Sequence, residues 1–234
     1  MSGKGLVIGR GQIGTALFEI LKNHHETHIR DVDDLNLEGV EFLHICFPFS
    51  KTFVDNVKNY KEKYKPKYTI IHSTVPVGTA TQCNAFHSPV RGIHPNLVEG
   101  IENIVKYLAP ANPAVKDYFE RAGIMIKEVD KPENTEALKL WSTTQYGLSI
   151  VLEKEIHKWC KENGLDFDVV YTEANRSYNE GYKKLGMGHF NRPVLKQVQG
   201  KIGGTCVIPN CKILDSFIAR FIMEYNKKIK IEES

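Results

Sequence analysis

Apolar residues follow two rhythms in the first half of the chain and a single rhythm in the second. The run GLVIG at 5–9 is short, apolar and closed by glycine, and a helical repeat follows through Ile13, Leu17, Ile20 and Leu21. This succession predicts strand, tight turn and helix. Residues 27–32 read as a second strand ending in acidic residues, VEFLHICF at 40–47 as a third, 53–63 as a helix and YTIIHST at 68–74 as a fourth strand. Strands alternating with helices predict βαβ units and a parallel sheet. Pro76 and Gly78 mark a turn, and a proline-punctuated stretch to Pro95 predicts loop around a short element. The run 97–108 predicts a helix, GIMIKEV at 123–129 a closing strand, and Pro132 a boundary.

From Asn134 onward apolar residues recur at 137, 140, 141, 148, 151, 152, 156 and 159, with Thr144 in the same register, the three-and-four spacing of one long helix. Gly164 lies just beyond it, and further helices are predicted over 168–183 and 210–228, separated by a loop with Pro193 and Gly200. No strand pattern follows residue 130. The expected fold class is α/β, a doubly wound parallel sheet over 1–130 followed by a smaller all-helical domain over 131–234.

The turn after the first strand carries the first candidate chemistry. In GRGQIG, Gly9, Gly11 and Gly14 have the spacing of a dinucleotide loop, serving in turn the tight bend, close approach of pyrophosphate, and packing of helix on strand. Gln12 and Ile13 open the helix, whose N–H groups and positive dipole end would face the phosphates. Asp31 ends the second strand 20 residues past Gly11, where a carboxylate accepts from ribose hydroxyls. Pro48, after the third strand, and Thr74, after the fourth, complete the candidate cofactor residues. The expectation is a Rossmann domain holding NAD. Asp31 favours NAD over NADP because it repels a 2′-phosphate, while Arg30 is a candidate partner for that phosphate.

Composition narrows the partners. Lys plus Arg number 31 against 28 Asp plus Glu, a surplus too small for a field directed at nucleic acid or a membrane surface. No segment approaches the ~18 consecutive apolar residues of a membrane span, and the N-terminus runs straight into a strand without a secretory pattern. A cytoplasmic protein with a small-molecule substrate is expected. Cys46, Cys83, Cys160, Cys206 and Cys211 contain no CxxC pair, so no metal site is expected. Cys46 and Cys160 read as small core hydrophobes.

Three further segments, taken with the glycine loop, resemble the nucleotide-sugar 6-dehydrogenases, the family of UDP-glucose, GDP-mannose and UDP-N-acetylmannosamine dehydrogenases. HSTVPVGT at 72–79 resembles that family's STVPPGT, EALKLWSTTQYGLSIVLEKEI at 136–156 its lysine-bearing helix, and GKIGGTCVIPN at 200–210 its GGxC nucleophile loop. The resemblance implies oxidation of a sugar CH₂OH to a carboxylate by NAD⁺ in two steps, through a cysteine thiohemiacetal and thioester. It assigns Cys206 as nucleophile, Lys139 as the group handling the alcohol proton, and Thr74 as a positioner of water. It also implies a homodimer packed along the long helix, and a nucleotide sugar as the candidate substrate.

The residues themselves allow plainer readings. Cys206 precedes Pro209, a first-turn residue, so a helix N-terminus would favour its thiolate; a structural cysteine is the alternative. Lys139 shares a helix face with Thr143 and Tyr146 and suits a cleft, or is a surface lysine. Thr74 also reads as a strand-ending hydroxyl.

Departures from the family pattern bear on the chemistry. Thr143 stands where the family has asparagine, and Asn210 where it has aspartate, which removes a carboxylate from the hydrolytic half-reaction. SPVRGIHPNLVEG at 88–100 lacks the family's PEF stretch, with Asn96 in the glutamate's place. His94 there matches the HP motif of prephenate-type dehydrogenases, or is simply packed before a proline. The sequence ends at Ser234, short of the family's second Rossmann-like domain, so a smaller or differently held substrate is expected. Arg91, Arg176 and Arg192 are candidate anion anchors. Two other functions compete: a two-electron hydroxyacid-type dehydrogenase without covalent catalysis, and a non-catalytic NAD-binding sensor or assembly protein.

Overall fold

The computed structural model describes residues 3–33, 35–92 and 96–229. The chain divides into two compact units, Met1–Leu140 and Trp141–Ser234.

The first unit is built on a parallel sheet of β1 (Gly5–Ile8), β2 (Thr27–Arg30), β3 (Phe42–Ile45), β4 (Tyr68–Ile71) and β5 (Phe86–His87), in the order β2-β1-β3-β4-β5. All four residues of β1 are buried, as expected of a strand covered on both faces. Val7 points into one apolar layer with Leu17, Leu21, Val115 and Phe119, while Leu6 and Ile8 point into the other with Phe53, Val57 and Ala80. The first layer is covered by α1 (Gln12–Leu21), α4 (Leu97–Asn103) and α5 (Pro113–Arg121), the second by α2 (Phe53–Tyr64) and α3 (Thr79–Gln82). The helices are held by stripes at helical spacing, such as Phe53, Val57 and Tyr64 on α2, each large side chain contributing ~1.5–3 kcal/mol by burial.

Some expectations are corrected. The run 97–108 is not one helix: α4 ends at Asn103 and β6 (Lys106–Leu108) follows. In IVKYL inward and outward positions alternate, Lys106 and Leu108 buried and Val105 exposed, which a strand satisfies and a helix does not. The strand near 123–129 is β7 (Ile126–Glu128), which pairs in parallel with β6 as a separate two-stranded sheet and does not close the main one. Between β6 and β7 runs α5, absent from the sequence-based expectations, where Asn112 caps the helix by accepting from Ala114 N and Val115 N at 3.1 Å each.

The long helix α6 (Pro132–Glu162) begins in the first unit and continues into the second. In the second unit a π-helical turn at Asp168–Glu173 leads into α7 (Ala174–Lys184). The helix expected over 210–228 is two, α8 (Val207–Ile213) and α9 (Phe217–Lys228). Ser216 breaks them by capping α9, its hydroxyl accepting from Ala219 N at 3.1 Å. Val151, Ile202, Val207, Cys211, Ala219 and Ile222 form this unit's core.

Candidate functional site

The strand order reverses at β1, since the chain moves from β1 to β2 on one side and then to β3 on the other. Ligands of open α/β sheets bind in the crevice such a reversal leaves at the carboxyl strand ends. Gly9, Gly11 and Gly14 lie there. Gly9 has φ +105°, and a Cβ on it would stand 3.0 Å from Phe47 N. A Cβ on Gly14 would stand 1.9 Å from Gly9 O, so α1 could not approach β1 as it does. Gly11 differs: nothing lies within 4 Å of its Cβ position, and as N-cap of α1 it offers no side-chain cap. The first-turn amides of Gln12 and Ile13 are thereby open to an anion. Asp31 is exposed and accepts from Arg10 N at 3.4 Å, and Pro48 is exposed just past β3.

Arg30 is occupied elsewhere. Its guanidinium is buried, donating to Tyr64 Oη at 2.9 Å and to the carbonyls of Asp31 and Val32 at 3.3 Å each, and it lies over the Tyr60 ring.

Beyond β4 and β5 the structure assembles a polar cluster in which Thr74 and Lys139 were expected from the 72–79 and 136–156 motifs, and Glu133, Thr135, Glu136 and His87 were not. Four side chains from the first turns of α6 reach into the first unit. Glu133 accepts from the Thr81 hydroxyl at 2.7 Å. Glu136, fully buried, accepts from Gly78 N at 2.6 Å and Ala80 N at 2.7 Å, fastening the 76–80 turn. Burial pushes its carboxyl up from the usual range, against the pull of those amides. Thr135 meets His87 Nδ1 at 2.7 Å, and His87 Nε2–H donates to Ser73 O at 3.2 Å. Lys139, half-buried, donates to Val90 O at 2.8 Å. Thr74 is half-buried next to Ser73, whose hydroxyl donates to Phe47 O at 2.6 Å.

Beneath this lies a buried relay. Tyr118 Oη donates to His44 Nε2 at 3.2 Å, His44 Nδ1–H to His72 Nε2 at 3.0 Å, and His72 Nδ1–H to Ser88 O at 2.8 Å, the tautomers following from the terminal carbonyl. Burial drives His44 and His87 down to about 3 and His72 well below the ordinary histidine value, so all three are neutral at physiological pH.

In the second unit Cys206 is the N-cap residue of α8, half-buried, with Thr205 Oγ1 3.8 Å from its Sγ. One turn later Asn210 is buried, and its Nδ2 donates to Thr143 Oγ1 on α6 at 3.1 Å. Thr143 and Asn210 are therefore brought together, while Lys139 belongs to the first unit and Cys206 to the second. Tyr146 is 53% exposed. Arg91 lies over the Tyr107 ring and Arg192 over that of Tyr178, while Arg176 is exposed. Cys46 and Cys160 are buried as core residues. His94 lies outside the described residues.

No protein-family model matches the sequence, and no curated protein does. Solved structures do match in fold. A UDP-D-ManNAc dehydrogenase from Pyrococcus horikoshii superposes with TM-score 0.70 at 15% identity, covering 97% of this chain and 68% of its own. A UDP-glucose dehydrogenase from Pyrobaculum islandicum gives 0.71 at 13% identity over the same shares. A 3-hydroxyisobutyrate dehydrogenase from Mycobacterium tuberculosis gives 0.68 at 13% identity, covering 97% of this chain and 94% of its own. This chain thus has the α/β Rossmann-like fold, with a helical C-terminal region, found in those dehydrogenases.

Proposed function

We propose that this chain is a nicotinamide-dependent oxidoreductase acting on the CH–OH group of a small molecule. The observation that carries the proposal is the uncapped start of α1 at the strand-order reversal, with Gly14 packed too closely for any side chain and Asp31 beside it. These residues fit a dinucleotide: open amides for pyrophosphate and an exposed carboxylate for ribose hydroxyls. When bound, the nicotinamide supplies the hydride acceptor.

The chain's own residues supply the rest. Lys139, held on Val90 O, is the group to take the hydroxyl proton as hydride leaves the carbon, and its ammonium then steadies the developing carbonyl oxygen. NAD is favoured over NADP because Arg30 is engaged by Tyr64 and the local carbonyls, leaving Asp31 to face the ribose.

Two readings of the substrate follow. The sequence resemblance favours a nucleotide sugar and a covalent role for Cys206, which stands at the start of α8. The neutral Thr143–Asn210 pair favours a single two-electron oxidation, and so does the near-full-length match to a hydroxyacid dehydrogenase. NADH formation by wild type, Cys206→Ala and Lys139→Ala, given NAD⁺ and a panel of UDP-sugars, GDP-sugars and small hydroxyacids, separates them. Turnover of a nucleotide sugar lost with Cys206 supports the covalent route; hydroxyacid turnover that survives Cys206→Ala supports the simple one. NAD⁺ binding without turnover of any alcohol would overturn the enzymatic reading.

The second unit also has a face suited to a second copy of the chain. Trp141, Leu152 and Trp159 on α6 are 47%, 59% and 53% exposed, and a groove of ≈ 390 Å³ lies between α6 and α9, lined by Leu148, Val151, Leu152, Phe221 and Tyr225. A homodimer packed there is expected, and light scattering showing only monomer at high concentration would refute it. A cytoplasmic location is supported by five free cysteines. Among the described residues no helix is long and apolar enough to cross a membrane.

A further inference from the structure

Two lysines grip one three-residue segment from different elements of the first unit. Lys106 on β6 is 2% exposed, and its ammonium donates to Ser88 O. Lys139 on α6 donates to Val90 O at 2.8 Å. Ser88, Pro89 and Val90, the stretch leaving β5, are all buried. Ser88 Oγ is buried without a hydrogen-bond partner, so the serine side chain does not fix this stretch. What holds it is main chain: Ser88 N donates to Ile71 O at 2.9 Å, and Ser88 O accepts from both Lys106 and His72.

A lysine buried without a carboxylate is costly to keep charged. Among the described residues no carboxylate acts on Lys106; the charge that does is the Lys139 ammonium, the buried Cys46 thiol nearby being neutral. Burial first, and the like charge of Lys139 after it, bring Lys106 down to about 7.

We propose that Lys106 is a positioning residue for Lys139. By gripping Ser88 O it fixes the segment whose far end holds the Lys139 ammonium, and its own charge opposes a second charge there. Coulombic repulsion is mutual, so whatever Lys139 does to Lys106, Lys106 does to Lys139. A charged Lys106 makes Lys139 readier to exist as the amine, the form that accepts a proton.

The other titratable groups facing this cluster are silent near neutrality. His44 comes from β3 and Cys46 from just past it, His72 from just past β4, His87 from β5, Tyr118 from α5, and His25 from the turn after α1. Burial pushes Cys46 up to about 12 and Tyr118 upward, and holds His25 below its ordinary value and the other histidines further below theirs. On α6 itself Glu136, three residues before Lys139, has its carboxyl pushed up by burial, and Glu133 is held down by its bond from the Thr81 hydroxyl; Lys106 is the lysine held at about 7.

The functional consequence rests on Lys139 as the proton-handling group; the coupling itself does not, and needs no substrate to be seen. The test is a pH titration of the full chain carrying ¹³C-labelled lysine, with the signals assigned through Lys139→Arg and Lys106→Met. The expected result is an inflection in the Lys139 signal at the Lys106 midpoint. In Lys106→Met that inflection should vanish and the Lys139 midpoint should move upward. A Lys139 curve without the inflection in the unmodified protein, or one unchanged by Lys106→Met, would overturn the proposal. Should Lys106→Met fail to fold, the unmodified protein alone decides. Loss of Lys139 without loss of turnover would remove the proton-handling role and leave the titration result standing.

Discussion

The Asn210 amide donates to the Thr143 hydroxyl at 3.1 Å, joining α8 to α6 within the second unit. These are two of the positions at which the sequence departs from the nucleotide-sugar dehydrogenase pattern, and they hydrogen-bond to each other. An amide and a hydroxyl make a neutral pair that a buried position tolerates without a counter-charge.

Asn210→Asp should therefore destabilise the second unit. A carboxylate in that buried place carries a desolvation cost, and a loss of about 1–3 kcal/mol at neutral pH is expected from urea unfolding. The loss should shrink as pH falls and the carboxyl takes up a proton.

Gly14→Ala and Gly11→Ala should part company. The first places a methyl group 1.9 Å from Gly9 O and should lower the melting temperature and abolish NADH binding together. The second meets nothing within 4 Å and should leave the melting temperature nearly unchanged while weakening NADH binding several-fold. Thermal melts beside NADH fluorescence titrations distinguish the two.

Asp31→Ser should cost at least tenfold in NAD⁺ affinity and narrow the preference over NADP⁺, since the carboxylate both accepts from the ribose and repels a 2′-phosphate. Equal losses for both cofactors would show that Asp31 does not contact the ribose.

Acid should unfold the first unit in a defined window. His44 and His87 are held at about 3, below the ordinary value of 6.5 that they regain when unfolded. Between those values the unfolded chain binds more protons, so stability is fully present above about 6.5 and falls as pH drops toward about 3. Lys106, held at about 7 against 10.5, acts by the same rule in a higher range: its contribution grows from about pH 7 to about 10.5. Melting temperatures against pH for wild type and His44→Phe test the acid limb, the variant being expected to show the shallower slope.

Glu136→Gln should loosen the 76–80 turn. The carboxylate accepts two amide hydrogen bonds there, and a neutral amide offers one oxygen in its place. A loss of roughly 1.5–3 kcal/mol is expected by chemical denaturation, with faster hydrogen exchange at Gly78 and Ala80.

Patterning along the chain was sufficient to read β1, α1, β3, α2, β4 and the length of α6, because each buries a continuous face whose period is written in consecutive residues. It was also sufficient for the turn at Gly9, Gly11 and Gly14 between β1 and α1 and for Asp31 just past β2, whose places follow from local backbone geometry and fixed spacing. The short strands β5 and β6 were not legible, since two or three residues carry no period, and β7 was read as a strand but not its pairing with β6 in a separate sheet. The polar interior was hidden for a different reason. His44 lies within an apolar strand and Lys106 within a run that resembled a helix end, and only the packing of β3, β6, α5 and α6 decides that a histidine relay and a buried lysine meet at Ser88. Sequence thus determined most of the elements and the glycine turn, which depend on neighbours along the chain. Tertiary structure decided which distant polar groups share an interior, because their hydrogen-bond partners and their desolvation arise only when separate elements close on one another.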